Sequence, residues 1–208
     1  MDGLANKIDA LRKTPLSRAV SARLSEFLAM GDAPDDALFK ELCFCLLTAN
    51  YTSEGGIRIQ KAIGDGFLTL EQDELAASLK SLGYRFPNTR ARYIAEARRH
   101  SGIRSLLASA GGRPLRDHLA DTVLGLGFKE SSHFLRNIGY MDYAIIDFHV
   151  IDVLAEHNLI VRPKSKSLSR KKYLEIERVL GRLSKRLGMS QGELDLYLWY
   201  METGKVLK

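Results

Sequence analysis

Apolar residues in this chain return at three- and four-residue intervals, and no segment sustains two-residue alternation. That period puts side chains on one stripe of a helix, not on one face of a strand, so the chain is committed to an all-α fold. Over residues 15–30 the stripe is Leu16, Ala19, Val20, Leu24, Phe27 and Leu28, and Gly31-Asp32-Ala33-Pro34 ends it. Residues 37–49 are apolar on most sides, as suits a helix at the centre of a domain. Short helices are expected over 57–63 and 70–79, each closed by a glycine turn. The aromatic and basic loop Tyr84-Arg85-Phe86-Pro87-Asn88 then leads into a helix carrying Arg90, Arg92, Arg98 and Arg99. Those arginines read as a solvated basic face, with phosphate contact as the alternative. Gly111-Gly112-Arg113-Pro114 precedes a helix over 114–123, another helix follows Asp147, and helices over 168–187 and 191–202 come after the basic loop at Lys164 and Lys166. Ala144-Ile145-Ile146 is the one stretch expected to be locally extended, without a sheet.

At 208 residues the chain has room for one large or two small domains, and 45% hydrophobic content is ordinary for a soluble protein. Thirty-one basic residues against 25 acidic ones give a net charge of +6, which suits a polyanionic partner. No apolar run approaches a membrane span, and Asp2 and Asp9 break the pattern of a signal peptide, so a cytoplasmic location is expected. The two cysteines, Cys43 and Cys45, point about 200° apart on a helix, which predicts two buried thiols. Their number excludes a disulfide framework, a cysteine zinc site and a four-cysteine iron–sulfur cluster. The five histidines show no metalloprotease spacing.

The stretch from Leu124 to Asp147 carries the chemistry. Leu124-Gly125-Leu126-Gly127 joins two short helices, and glycines there let the chain turn tightly and a phosphate approach the backbone. Amides at the start of the next helix would form an anion site, although a plain structural turn explains the pattern equally well. Lys129 falls at that helix start. Desolvation and the positive end of the helix dipole both favour a neutral, nucleophilic amine, while a surface lysine meeting phosphate is the plain alternative. Asp147 sits before an apolar helix, where an N-cap is the default, and a capping carboxylate stays ionised and able to stabilise positive charge.

The hairpin lysine and the downstream aspartate together resemble the helix-hairpin-helix superfamily of DNA glycosylases. Within it, Glu41-Leu42-Cys43-Phe44-Cys45-Leu46-Leu47-Thr48-Ala49-Asn50, Glu54-Gly55-Gly56-Ile57-Arg58, Lys129-Glu130-Ser131-Ser132-His133-Phe134-Leu135-Arg136-Asn137, Asp195-Leu196-Tyr197-Leu198-Trp199-Tyr200 and Gly204-Lys205-Val206-Leu207-Lys208 look like the type-2 8-oxoguanine DNA glycosylase/AP lyase family. These blocks span almost the whole chain.

The resemblance implies two helical domains flanking a DNA-binding cleft: residues 31–138, ending in the hairpin, and a second domain from residues 1–30 and 139–208. The substrate would be double-stranded DNA containing 8-oxoguanine, with the damaged nucleotide flipped out because its sugar is inaccessible within a stacked duplex. Lys129 matches the family's nucleophile, which attacks C1′, expels the base and forms a Schiff base; β-elimination then cuts the strand on the 3′ side. Asp147 matches the aspartate that assists. Lys208, the last residue of the sequence, matches a residue that helps to tell 8-oxoguanine from guanine, through either its carboxylate or its ammonium. Trp199 would stack on the base, Asp195 would line the pocket, and Gly125, Gly127, Arg85, Phe86 and Asn50 would meet DNA. Phe148 is a departure, since a basic residue is expected between Asp147 and His149. No organic cofactor or metal is implied, only a monovalent cation at the hairpin carbonyls when DNA is bound. The protein is expected to act as a monomer on the nucleoid. Two rivals stand beside this reading: a non-enzymatic helix-hairpin-helix DNA-binding module and a glycosylase for another lesion.

Overall fold

The structure, a computed structural model, describes every residue except Arg113 and Lys166, both of which fall in expected loops. The described residues form α-helices joined by short connections and no strand, and the chain divides into two compact units. One unit comprises residues 30–134 and the other residues 1–29 with 135–208.

The continuous unit is built on α3 (Asp35–Thr48), which begins after Pro34 with Asp35 and Asp36 in its first turn, where the helix dipole favours them. Every residue from Leu42 to Thr48 is buried, and α4 (Ser53–Ile63), α5 (Gly66–Thr69), α7 (Pro87–Ala97) and α8 (Ile103–Ala108) pack around it. A helix covered on all sides has no polar stripe, which is why its sequence shows little amphipathic contrast. Both cysteines lie in this core as free thiols. α4 starts at Ser53, four residues before the expected 57–63 segment, with Thr52 Oγ1 accepting from Gly55 N at 3.1 Å. Gly55 is inside the helix because the Tyr51 ring occupies the space of a side chain: a Cβ would lie 2.8 Å from Tyr51 Cζ and closer still to Cε1. α6 (Gln72–Ser81) is opened by a capping box in which Glu71 N donates to Glu74 Oε2 at 3.0 Å, and it packs on α7. α9 (Leu115–Thr122) leads to the hairpin, and α10 (Phe128–Asn137) leaves it.

In the discontinuous unit, α1 (Asp2–Arg12) buries Leu4, Ala5 and Ile8 and packs on α12 (Arg170–Leu187) and α13 (Gln191–Thr203). Arg12 fastens it by donating to Leu187 O at 2.9 Å. α2 (Leu16–Gly31) follows, burying Val20 and Phe27. α11 (Phe148–Glu156) lies against α13. The buried segment Ala144-Ile145-Ile146 satisfies its backbone from α12 side chains instead of a sheet neighbour. Tyr173 Oη donates to Ala144 O at 2.7 Å and accepts from Ile146 N at 3.1 Å, while Ala144 N donates to Glu177 Oε1 at 3.0 Å. Buried backbone groups need partners, and two α12 side chains supply them.

Candidate active site

The hairpin between α9 and α10 is held from below by an aromatic ring. Gly125 has φ +92°, and a Cβ there would lie 2.9 Å from Tyr93 Cε2 and closer still to Cδ2. Both the dihedral and the contact require glycine at this position. Gly127 is under a different constraint: its φ lies outside the left-handed region, and a Cβ would sit 3.1 Å from Glu130 Oε2. Leu126 is buried, its N donates to Val123 O at 3.1 Å, and Ser131 N donates to Gly127 O at 2.9 Å.

Lys129 is the second residue of α10, at the positive end of the helix dipole. Its side chain is 27% exposed, and Nζ lies 3.5 Å from Oε1 of Glu130, itself 14% exposed. The following turns are buried and polar: Ser131, Ser132, His133, Arg136 and Asn137 are all within the protein. His133 meets Phe44 of α3 edge-on with ring centroids 5.5 Å apart. The Arg116 guanidinium of α9 lies 4.7 Å from the Phe128 ring centroid, bracing the first residue of α10. The lysine thus projects from a helix start clamped by both α9 and α3.

The basic stretch formed by α7 and the 3-10 turn Arg98–His100 that follows it proves only half solvated. Arg90 is buried, donating from Nε to Tyr84 Oη at 3.0 Å and from Nη2 to Ala49 O at 2.9 Å. Arg98 donates to Phe67 O at 2.9 Å and to Leu70 O at 2.5 Å, tying down the end of α5. Arg92 and Arg99 are the exposed pair. Unsatisfied carbonyls at loop and helix ends explain the difference, because a guanidinium can serve several at once. Arg90 also stacks on Tyr93 at 5.4 Å, so a chain of contacts runs from the loop at Ala49 through Arg90 and Tyr93 to Gly125. Burial raises the Tyr84 hydroxyl pKa, opposed by Arg90, and the hydroxyl donates to Leu47 O at 2.7 Å. Beside it, Phe86 is 42% exposed with the Arg85 guanidinium 5.0 Å from its ring, and Pro87 opens α7 behind it. Asn50 is exposed and left-handed at φ 62°, turning the chain out of α3. These three residues therefore sit on neighbouring turns braced by Tyr84, Arg90 and the Tyr51 ring, which lies 4.7 Å from Tyr84.

In the discontinuous unit, Asp147 is the N-cap of α11, accepting from Val150 N at 3.0 Å. Phe148, the departure from the expected pattern, is 50% exposed. His149 meets the Trp199 ring edge-on at 4.9 Å and has Nδ1 3.9 Å from Glu202 Oε2, so α11 and α13 share this cluster. The Trp199 Nε1 is buried and has no hydrogen-bond partner among the described residues. Asp195 is engaged from within the protein by Arg136 Nη1 at 3.1 Å, a pair that sequence spacing of 59 residues could not reveal. Lys208 is partly buried in the non-helical tail after Gly204, the left-handed C-cap of α13. Lys129, Gly125, Gly127, Arg85, Phe86 and Asn50 belong to the continuous unit; Asp147, Asp195, Trp199 and Lys208 belong to the other. Among the described residues no three His, Cys, Asp or Glu side chains are grouped to hold a metal, and no helix is long and apolar enough to cross a membrane.

Comparison with known proteins bears on this arrangement directly. The family model for 8-oxoguanine DNA glycosylase matches residues 20–189. The 8-oxoguanine DNA glycosylase/AP lyase of Methanocaldococcus jannaschii is 48% identical over 206 residues, covering 99% of both chains. That of Korarchaeum cryptofilum is 49% identical over 210 residues, covering 100% of this chain and 99% of its own. The crystal structure of the Methanocaldococcus jannaschii enzyme in complex with 15mer DNA containing 8-oxoguanine matches with a TM-score of 0.94 over 99% of both chains at 48% identity. The crystal structure of the 8-oxoguanine DNA glycosylase of Thermotoga maritima matches with a TM-score of 0.91 at 42% identity, over 100% of this chain and 99% of that one. With the matches spanning nearly the whole chain in both sequence and backbone, this chain belongs to the 8-oxoguanine DNA glycosylase/AP lyase family.

Proposed function

We propose that this protein removes 8-oxoguanine from double-stranded DNA and then cleaves the strand on the 3′ side of the resulting site. Lys129 supplies the nucleophile. Its neutral amine attacks C1′ of the flipped nucleotide; the N–C1′ bond forms as the glycosidic bond breaks, and the base leaves with that electron pair and a proton. Ring opening converts the adduct into a Schiff base between Lys129 and the sugar. Loss of a C2′ proton then expels the 3′ phosphate oxygen, which is β-elimination. The anionic side chain of Asp147 stabilises positive charge on the sugar and helps the lysine lose its proton. The observation that carries this reading is Lys129 itself: a partly exposed amine at the first turn of a helix that follows a glycine hairpin, in a chain of this family.

The remaining roles follow the same proposal. Gly125 and Gly127 let one strand's phosphates approach the hairpin amides, and Phe86 with Arg85 and Asn50 meets the duplex where the nucleotide leaves it. Trp199 stacks on the base, and Lys208 and Asp195 contribute to its recognition. A monovalent cation at the hairpin would be held by its backbone carbonyls when DNA is bound. The protein acts as a monomer in the cytoplasm.

Borohydride trapping tests the chemistry. A duplex containing 8-oxoguanine should yield a covalent protein–DNA adduct that Lys129→Gln does not form. Binding without an adduct would favour the DNA-binding module instead, and an adduct on a different damaged base but not on 8-oxoguanine would favour another lesion. Deleting Lys208 should reduce the preference for 8-oxoguanine over guanine; an unchanged ratio would remove that residue from base recognition.

A further inference from the structure

The positive charge of this protein is concentrated far along the chain from its hairpin. Residues 162–186 contain ten basic and two acidic side chains, a net of +8 where the whole chain is +6, so the other 183 residues together are slightly negative. Most of this segment is α12, and its charges are ordered. Lys171, Arg178, Arg182 and Lys185 are all exposed and fall within roughly 60° of arc at 3.6 residues per turn. The buried residues of the same helix, among them Tyr173, Ile176, Leu180 and Leu187, lie on the opposite side. The four cations therefore point directly away from the unit's core. None of them makes a hydrogen bond or an ion pair among the described residues, whereas nearby cations do: Arg186 pairs with Asp2, Arg162 with Asp152 and Lys172 with Glu175.

We propose that this row is a second phosphate-binding surface, a track for the sugar–phosphate backbone of duplex DNA that adds to the grip of the hairpin. The proposal rests on the DNA-directed function argued above. From Lys171 to Lys185 the row extends about 21 Å at 1.5 Å per residue, the axial rise of roughly six nucleotides of one strand. Lysine and arginine in a straight row, bordered by Glu175 that is already paired with Lys172, suit a regular line of phosphates and read no base, so the track binds undamaged and damaged duplexes alike. A membrane surface fits less well, because α12 exposes no large apolar side chain to enter a bilayer. The track would hold the protein on DNA while it searches, since contacts of this kind permit sliding.

The salt dependence of binding to an undamaged duplex tests this. Replacing Lys171, Arg178, Arg182 and Lys185 together by Gln should weaken binding and flatten the plot of log affinity against log salt by about 3.6, at ~0.9 for each phosphate no longer neutralised. A control of equal charge change, with exposed Lys7, Lys13, Lys61 and Lys80 replaced by Gln, should leave the slope near that of the parent. Thermal melting of both variants establishes that they fold. A parent slope in the α12 variant, or an equal loss in the control, overturns the track. So does loss of binding to an acidic protein or to anionic vesicles with DNA binding unchanged. If the parent protein fails to trap on 8-oxoguanine DNA, the catalytic reading falls and not this one, because the slope is measured without damage or turnover.

Discussion

Asp195 and Arg136 form an ion pair at 3.1 Å whose side chains are 13% and 3% exposed, with the guanidinium also lying 4.4 Å from the Phe27 ring centroid. A charge this enclosed depends on its partner. Asp195→Asn should therefore destabilise the protein by about 3–5 kcal/mol, as expected when one half of a buried pair is removed. Urea unfolding measures this, and the double variant Arg136→Met, Asp195→Leu should recover much of the loss. Full stability in Asp195→Asn would show that the carboxylate is free for another role.

Gly125→Ala combines two penalties: a side chain at φ +92° and a collision with Tyr93. The dihedral costs about 1–3 kcal/mol and the collision adds to it. Adding Tyr93→Ala should relieve only the collision. A double variant as stable as Tyr93→Ala alone would mean that the turn tolerates a side chain after all.

Asp147 caps α11 through Val150 N and is proposed to stabilise charge on the sugar, and two substitutions separate these tasks. Asn caps as well as Asp, so Asp147→Asn should melt with the parent yet remove the base more slowly. Asp147→Ala should lose activity and about 0.5–2 kcal/mol of stability. Single-turnover base release by Asp147→Asn at the parent rate would leave the residue only its cap.

Burial raises the Cys43 thiol well above its ordinary value of 9.0, with Arg98 opposing, and Tyr84 and Tyr197 are raised by burial in the same direction. Groups whose folded pKa is raised stabilise the fold fully below their unfolded value and lose that contribution as pH rises through the folded one. Urea stability should accordingly decline between about pH 8 and pH 11, less steeply in Cys43→Ala. In the folded protein near pH 8, iodoacetamide should leave Cys43 unmodified. A stability profile flat across that range would contradict the burial of these groups.

The helices that announced themselves are those with an exposed face and a capping residue. α12 and α13 begin and end within two residues of the expected 168–187 and 191–202, each with a serine N-cap accepting a backbone hydrogen bond. α1 gave no such warning: no side chain caps its start, and its buried Leu4, Ala5 and Ile8 make one short apolar stripe. The helix expected over 57–63 leaves out Gly55 and Gly56, yet both lie within α4, since glycine also serves where a neighbouring ring must come close. At the candidate site, the Asp147 cap and the hairpin were legible because they are local. The roles of Arg90 and Arg98 were not: a guanidinium on a helix looks the same in sequence whether it meets water or a carbonyl some 30 to 40 residues away. Asp195 with Arg136 and Trp199 with His149 are pairings across 59 and 50 positions, which only the folded chain discloses.

One unit is continuous and the other is assembled from both ends of the chain, with α1 held against α12 and α13. During synthesis this separates the two in time. Residues 30–134, with Lys129 among them, can become compact as soon as they leave the ribosome, while α1 waits with its apolar stripe exposed until α13 has been made. Asp147, Trp199 and Lys208 belong to the unit completed last, so a nascent chain carries its proposed nucleophile before the residues proposed to act with it have been made into a folded unit.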